Sequence, residues 1–338
     1  MNRYIRYALI GTAASLAAIY FIAIQIDLEQ FLDAWAQARY IYALPCLVLI
    51  FAGLFTRAIR WQVLLSGGLP LRRSVSILNV SYLINGFVPF RLGELVRAYL
   101  ATRAQPPVPL FKSAATIIVE RLLDLLTVVL LVVFVLVSRP VPDWLRGAAM
   151  ASGIIALVGF LLLVYFSRNR TLAHNLLDIM TRLLPFLKRL NFTAWLDHFL
   201  DGLLPLAKVE TLLLALAWTA ISWILSIAAG YVGMFAFYPS ASWFATSLFI
   251  AAAAFAVAVP AVPGSLGTYE LSIILALTAT GYGEPAATAA AFAVSIHMLN
   301  VLSYCIAGII GFIQEGVSLE QLSQGVRRVS QENEVRSV

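Results

Sequence analysis

The sequence predicts an all-α polytopic membrane protein, with six transmembrane helices plus two re-entrant broken-helix hairpins arranged as inverted repeats. Composition is the first observation behind this. Of 338 residues, 61% are hydrophobic and 12% charged, with a mean hydropathy of +0.89, whereas a soluble domain carries about 25% charged residues. Second, uncharged runs long enough to cross a ~30 Å hydrocarbon core account for most of the chain. They leave at most about 40 consecutive residues for a soluble module, so an appended Rossmann, P-loop or acyltransferase domain is not expected. Third, two other apolar stretches are each broken in the middle by Pro and Gly.

Taken in order, the first element is an apolar run over 7–26 behind a short basic start. It is too long for a signal-peptide core and lacks a convincing A-x-A site, so it is expected to stay as an anchoring helix. Residues 41–65, 113–137, 147–166, 211–237 and 286–313 read as five further spans by length and scarcity of charge. The broken stretches are 74–104, interrupted at V-P-F-R-L-G-E (88–94), and 243–281, interrupted at V-P-A-V-P-G-S-L-G-T-Y-E (259–270). Their flanking pieces run about 13 to 20 residues, and at 1.5 Å per residue the shorter ones reach only part way across the core. Each pair is therefore expected to dip into the membrane and return. Non-helical backbone at membrane depth is tolerated only where it is buried in protein or lines a wet cavity, which places a polar centre at each break. Residues 167–210, with Trp195, Phe199 and Leu203 at helical spacing, read as an amphipathic linker on the inner membrane surface. The organisation is one transmembrane domain, 1–315, with halves at about 41–137 and 211–313, followed by a polar cytoplasmic tail at 316–338.

Charge placement supplies the orientation. The net charge is +6, from 23 Lys and Arg against 17 Asp and Glu. With a cytoplasmic N-terminus and two re-entrant pairs, only Arg39, Arg139 and Arg146 fall outside, among Asp27, Glu29, Asp33, Asp143 and Glu284. The basic excess then follows the positive-inside rule, both termini are cytoplasmic, and the expected location is the inner membrane. Nucleic acid is not needed to explain it. On this topology the first hairpin enters from the cytoplasm and the second from outside. V-P-F-R-L-G at 88–93 also matches V-P-G-S-L-G at 262–267, with a carboxylate following at Glu94 and Glu270. Inverted repeats with broken helices are the architecture of many transporters, with the site between the repeats.

The strongest chemical signal is charge in hydrocarbon. Glu120, Arg121 and Asp124 lie within the 113–137 span, where an ionised side chain costs ~2.5–3.5 kcal/mol even on lenient scales. Glu120 and Asp124 share a helix face and Arg121 does not, so partners must come from elsewhere. Arg57, Arg60, Arg91 and Arg97 are the candidates. The cluster reads either as an ion-pair network that fixes the first hairpin or as a polar cavity for a charged headgroup. After each break a half-helix begins near Gly93 or Gly267, and its unpaired N–H groups can hold a phosphate or the chain's own Glu94 or Glu270. In the second half, His297 and Asn300 on the last span complete the polar set, and His297 opposite Glu270 is a candidate proton relay. Cys46 and Cys305 sit in apolar runs as small buried side chains. The three histidines lack metal-ligand spacing, and no G-x-S-x-G, G-x-G-x-x-G or Walker sequence occurs. No enzyme activity, metal or cofactor is expected.

R-A-I-R-W (57–61), N-G-F-V-P-F-R-L-G-E-L-V-R (85–97), E-R-L-L-D (120–124) and P-G-S-L-G-T-Y-E (263–270) together resemble the lysylphosphatidylglycerol synthase transmembrane, or flippase-like, family over residues 5–315. The resemblance implies a membrane domain that moves a polar lipid headgroup between leaflets. The partner is then a phospholipid, a glycolipid or an isoprenoid-linked lipid. It implies functional positions at Arg57, Arg60, Trp61, Pro89, Arg91, Gly93, Glu94, Arg97, Glu120, Arg121, Asp124, Pro263, Gly264, Gly267 and Glu270. The soluble aminoacyltransferase of two-domain relatives has no counterpart here, so lipid aminoacylation is not expected. The function expected is lipid translocation without ATP hydrolysis. The alternatives are a secondary transporter of a small anion and a membrane scaffold for a lipid- or glycan-synthesising enzyme.

Overall fold

A computed structural model describes residues 3–24, 26–88, 91–138, 143–183, 192–258 and 263–317, and among these there are helices and no strands. The helices are α1 (Arg3–Ala23), α2 (Leu28–Ala36), α3 (Ala43–Leu64), α4 (Leu71–Phe87), α5 (Leu92–Thr102), α6 (Leu110–Ser138) and α7 (Asp143–Arg168). They continue with α8 (Arg170–Leu183), α9 (Phe192–Ala207), α10 (Val209–Met234), α11 (Trp243–Ala258), α12 (Thr268–Ala279) and α13 (Ala286–Glu315). Local chemistry sets several ends. Asp27 Oδ1 accepts the Glu29 and Gln30 amides to start α2, Pro285 precedes α13, and Gly316 closes it in the left-handed region at φ 63°.

Among the described residues, three helical segments are each long and apolar enough to cross a membrane: Tyr40–Leu64, Val209–Met234 and Ala286–Glu315. The α6 and α7 helices, at 29 and 26 residues, coincide with the predicted 113–137 and 147–166 spans. The anchoring run is helical as far as Ala23, within α1. Its Ser15–Ala23 part is followed by Leu28–Ala36 at 89°, so a short helix occupies what read as an acidic loop, with Trp35 Nε1 donating to Ser295 Oγ on α13 at 2.8 Å.

The centre of the molecule is the α3–α10 pair. Cys46 lies by Ala229, Thr56 by Ser222 and Arg60 by Thr219, so the two run antiparallel. The α4 helix packs on α13, and α11 packs on both α6 and α12; α5 lies against α4 and α6, and α12 against α13. Small residues bring α13 close to α4: a Cβ at Gly308 would lie 2.9 Å from Leu83 Cδ2 and 3.0 Å from the Asn79 carbonyl. Close backbone approach of this kind substitutes for a hydrophobic drive that lipid cannot supply. The seam ends in an ion pair, Arg73 Nη1 to Glu315 Oε2 at 2.6 Å, with Ser76 also on Glu315.

One expectation changes here. The apolar stripe of 167–210 is carried by α9, but Leu200, Leu203 and Leu206 are buried with Ala115, Val119 and Leu123 of α6 and with Phe160 of α7. Gly202 permits this, since an added Cβ there would meet Ala115 and the Lys112 carbonyl. These three leucines of the stripe are thus covered by neighbouring helices, while Leu204 of the same helix is exposed. The side chain of Trp195 and the tail beyond 317 lie outside the described residues.

Candidate functional site: a polar cavity where the two breaks meet

Both broken stretches reverse the chain through strained backbone. In the first, α4 ends at Phe87 and α5 begins at Leu92, with Arg91 left-handed at φ 52°. In the second, a 3-10 turn over Pro263–Ser265 holds Gly264 at φ 70° and Ser265 at φ 55°, followed by Gly267 at φ 81°. Arg91 and Ser265 are the fourth residues of the two matching six-residue segments. Both adopt a conformation that non-glycine residues rarely take, and such outliers concentrate at functional sites. Pro89 lies outside the described residues.

The two half-helix starts are capped differently. Asn85 Oδ1 accepts the Gly93 amide at 2.8 Å, and a Cβ at Gly93 would collide with the Ser81 carbonyl and sit 2.6 Å from Asn85 Oδ1. Only glycine permits α5 to fold back against α4 here. In the second half, Glu270 Oε2 accepts the Gly267 amide at 2.7 Å, so this end holds the chain's own carboxylate. The tips touch: Arg91 Nη2 donates to the Val257 carbonyl at the end of α11 at 2.9 Å, and a Cβ at Gly264 would lie 3.1 Å from the Gly86 carbonyl.

Beside this meeting point lies the charged cluster, built from α3, α5 and α6. Arg60, 1% exposed, donates through Nη1 and Nη2 to the two oxygens of Asp124 at 2.6 and 3.2 Å. Its Nε lies 3.5 Å from Glu120 Oε1. Arg97 donates to Glu120 Oε2 at 2.6 Å and lies over the Trp61 ring, 4.0 Å from its centroid. That ring face is the partner of an Arg97 Nε and Nη2 that have no hydrogen bond. Arg121 Nε reaches Glu94 Oε1 at 3.0 Å, with Arg91 at 3.7 Å from the same oxygen. The Glu120–Asp124 face therefore takes its partners from other helices, as the spacing predicts. Arg60 and Arg97, two of the candidate partners, belong to this interior cluster.

A cavity of about 260 Å³ opens beside the cluster, between the two halves. Its lining includes the polar side chains Arg57, Arg91, Arg121, Asp124, Ser226 and Asn300. Apolar side chains share the lining, among them Leu125 and Val128 on the same face of α6 as Arg121 and Asp124, and Phe255 and Val257 of α11. Arg57 donates to Ser226 Oγ at 2.9 Å and, among the described residues, has no carboxylate within ion-pair distance. Arg60, Arg97 and Glu120 stand behind the wall as a buried support.

Glu270 and His297 lie apart from this wall. His297 Nδ1 is 2.5 Å from Glu270 Oε1, both are buried, and Tyr269, which lines the cavity, stacks on His297 at 4.3 Å. The pair predicted across the second hairpin therefore forms, but it meets the cavity only through Tyr269. Asn300 does line it, its amide donating to the Ile296 carbonyl at 2.8 Å. Sequence reasoning missed Asn85, Tyr82, Trp223, Ser226 and Tyr304. Trp223 Nε1 donates to Asp124 Oδ1 at 3.1 Å, a role that a tryptophan in an apolar run does not announce. Asn85 had a signal, a capping side chain eight residues before a helix-starting glycine. Among the described residues no group of His, Cys, Asp and Glu could hold a metal ion.

No curated protein and no solved structure matches the chain. Residues 8–308 match the family described as the lysylphosphatidylglycerol synthase TM region. The match takes in every residue of the cluster and both breaks, on a framework of apolar helices that makes this an integral multi-pass membrane protein. The chain belongs to the lysylphosphatidylglycerol synthase TM region family.

Proposed function

We propose that this protein is a lipid translocase that moves a polar or phosphate-bearing headgroup between leaflets without ATP hydrolysis, leaving the tails in the bilayer. The observation that carries the reading is a cavity whose lining combines charged and apolar side chains. A headgroup satisfies the arginines and a lipid tail the apolar side chains, whereas a small anion needs only the arginines. Membership of a membrane-lipid family supports the same reading. Arg57, Arg91 and Arg121 hold the headgroup in this scheme. Glu94 and Asp124 balance charge around it, and Glu270 with His297 takes up protons from behind Tyr269. The role is transport and not catalysis.

The layout proposed is an inverted repeat with six spans, both termini cytoplasmic, in the inner membrane. It is supported by pairs of like contacts: α4 on α13 beside α11 on α6, α4 on α5 beside α11 on α12, and α5 on α6 beside α12 on α13. The shared left-handed backbone at Arg91 and Ser265 adds to this. Reconstitution of the purified chain in liposomes carrying headgroup-labelled lipids tests the function. Labelled headgroups should cross the bilayer with the native chain and stop crossing when Glu94→Gln is combined with Arg121→Ala. Transport that survives this pair removes the mechanism, and no transport of any lipid favours a scaffold.

A further inference from the structure

The cavity also carries information about the charge of its ligand. Five arginines (57, 60, 91, 97 and 121) face three carboxylates (Glu94, Glu120 and Asp124), leaving two positive charges in excess. Each carboxylate has one close guanidinium: Glu120 with Arg97 at 2.6 Å, Asp124 with Arg60 at 2.6 Å, and Glu94 with Arg121 at 3.0 Å. Arg57 and Arg91 are the two left over. Arg57 is held by the neutral Ser226 hydroxyl, and Arg91 by the Val257 carbonyl and by a 3.7 Å share of the Glu94 oxygen that Arg121 already pairs at 3.0 Å. Both line the cavity, with Arg121 between them in function and the phenols of Tyr82 and Tyr304 on the same lining. Uncompensated charge inside a membrane protein is expensive and is retained where a ligand completes it.

We infer that the preferred substrate is a lipid whose headgroup ends in a phosphate monoester. This rests on reading the cavity as a headgroup path. A monoester carries about −1.5 to −2 charges at neutral pH and three strong acceptor oxygens, which matches the excess of two and gives each spare guanidinium a fork-shaped partner. A phosphodiester lipid supplies one negative charge and leaves one arginine uncompensated. An amine-bearing headgroup adds repulsion. The size agrees: about 260 Å³ falls just under the roughly 300–1,000 Å³ of pockets for drug-sized ligands, suited to a compact phosphate and not to an oligosaccharide.

The test measures binding of four probes to the full chain in neutral detergent micelles: short-chain phosphatidic acid, phosphatidylglycerol, phosphatidylethanolamine and inorganic phosphate. Phosphatidic acid should bind at least about tenfold more tightly than phosphatidylglycerol, the scale of one charge-assisted hydrogen bond. Arg57→Gln with Arg91→Gln should erase that ratio, while Arg57→Lys, which keeps the charge, should retain part of it and so separate loss of selectivity from loss of fold. Equal affinity for the two acidic lipids, abolished by Arg121→Ala, overturns the monoester preference and leaves the lipid reading standing. A ratio that survives the double glutamine variant overturns the assignment to these arginines. Inorganic phosphate bound where no lipid competes overturns both the preference and the lipid reading.

Discussion

Glu120 shows how this protein keeps charge in its interior. Its carboxylate is 1% exposed and sits between Arg97 and Arg60; removing its charge strands Arg97, while Arg60 keeps Asp124. Breaking a buried pair costs roughly 3–5 kcal/mol, whereas replacing both partners with apolar residues of similar volume is often neutral. Glu120→Gln should therefore lower the unfolding temperature in detergent sharply, and Glu120→Leu combined with Arg97→Met should recover part of the loss, a coupling measurable by a double-mutant cycle. Trp61 adds a second residue-scale prediction. It is fully buried, donates to Thr116 Oγ1 at 3.1 Å and offers its ring to Arg97. Trp61→Leu should cost more than its lost area alone, by about the 2 kcal/mol of a desolvated cation–π contact, and less in an Arg97→Met background. The charged residues were legible because charge in an apolar run stands out. Which arginine meets which carboxylate was not, because Arg60 reaches Glu120 and Asp124 across 60 residues or more of chain, and spacing along one helix says nothing of that distance.

At the scale of elements, periodicity and length placed the long helices, and the Pro-Gly interruptions placed the two breaks, because those residues cannot continue a helix wherever the chain then goes. The perpendicular α2 escaped notice because its acids looked like an outer loop, when Asp27 is in fact an N-cap. The burial of α9 escaped because an apolar stripe is the same whether it meets lipid or α6. Gly86 and Gly93 give a contrasted test of the first break. An added Cβ has nothing within 4 Å at Gly86, while at Gly93 it strikes Ser81 and Asn85. Gly86→Ala should be neutral or stabilising by about 0.5–1 kcal/mol, as expected for Gly to Ala inside a helix. Gly93→Ala should open the α4–α5 hairpin, seen as a lower melting temperature in detergent.

For the molecule as a whole, the proposed layout has two hairpins entering from opposite sides and meeting deep in the membrane, where Arg91 joins Val257 and Gly264 lies by Gly86. A headgroup path and its selectivity both follow from that meeting only if it lies in the hydrocarbon. Depth is measured most directly by spin labels at Gly86 and Leu266, in a chain with Cys46 and Cys305 replaced by Ala, using lipid-soluble and water-soluble relaxation agents in reconstituted bilayers. Both labels should report the same depth, within about 5 Å of the centre of the ~30 Å core, with the water-soluble agent reaching them through the cavity. A label at headgroup level on either hairpin would contradict the account.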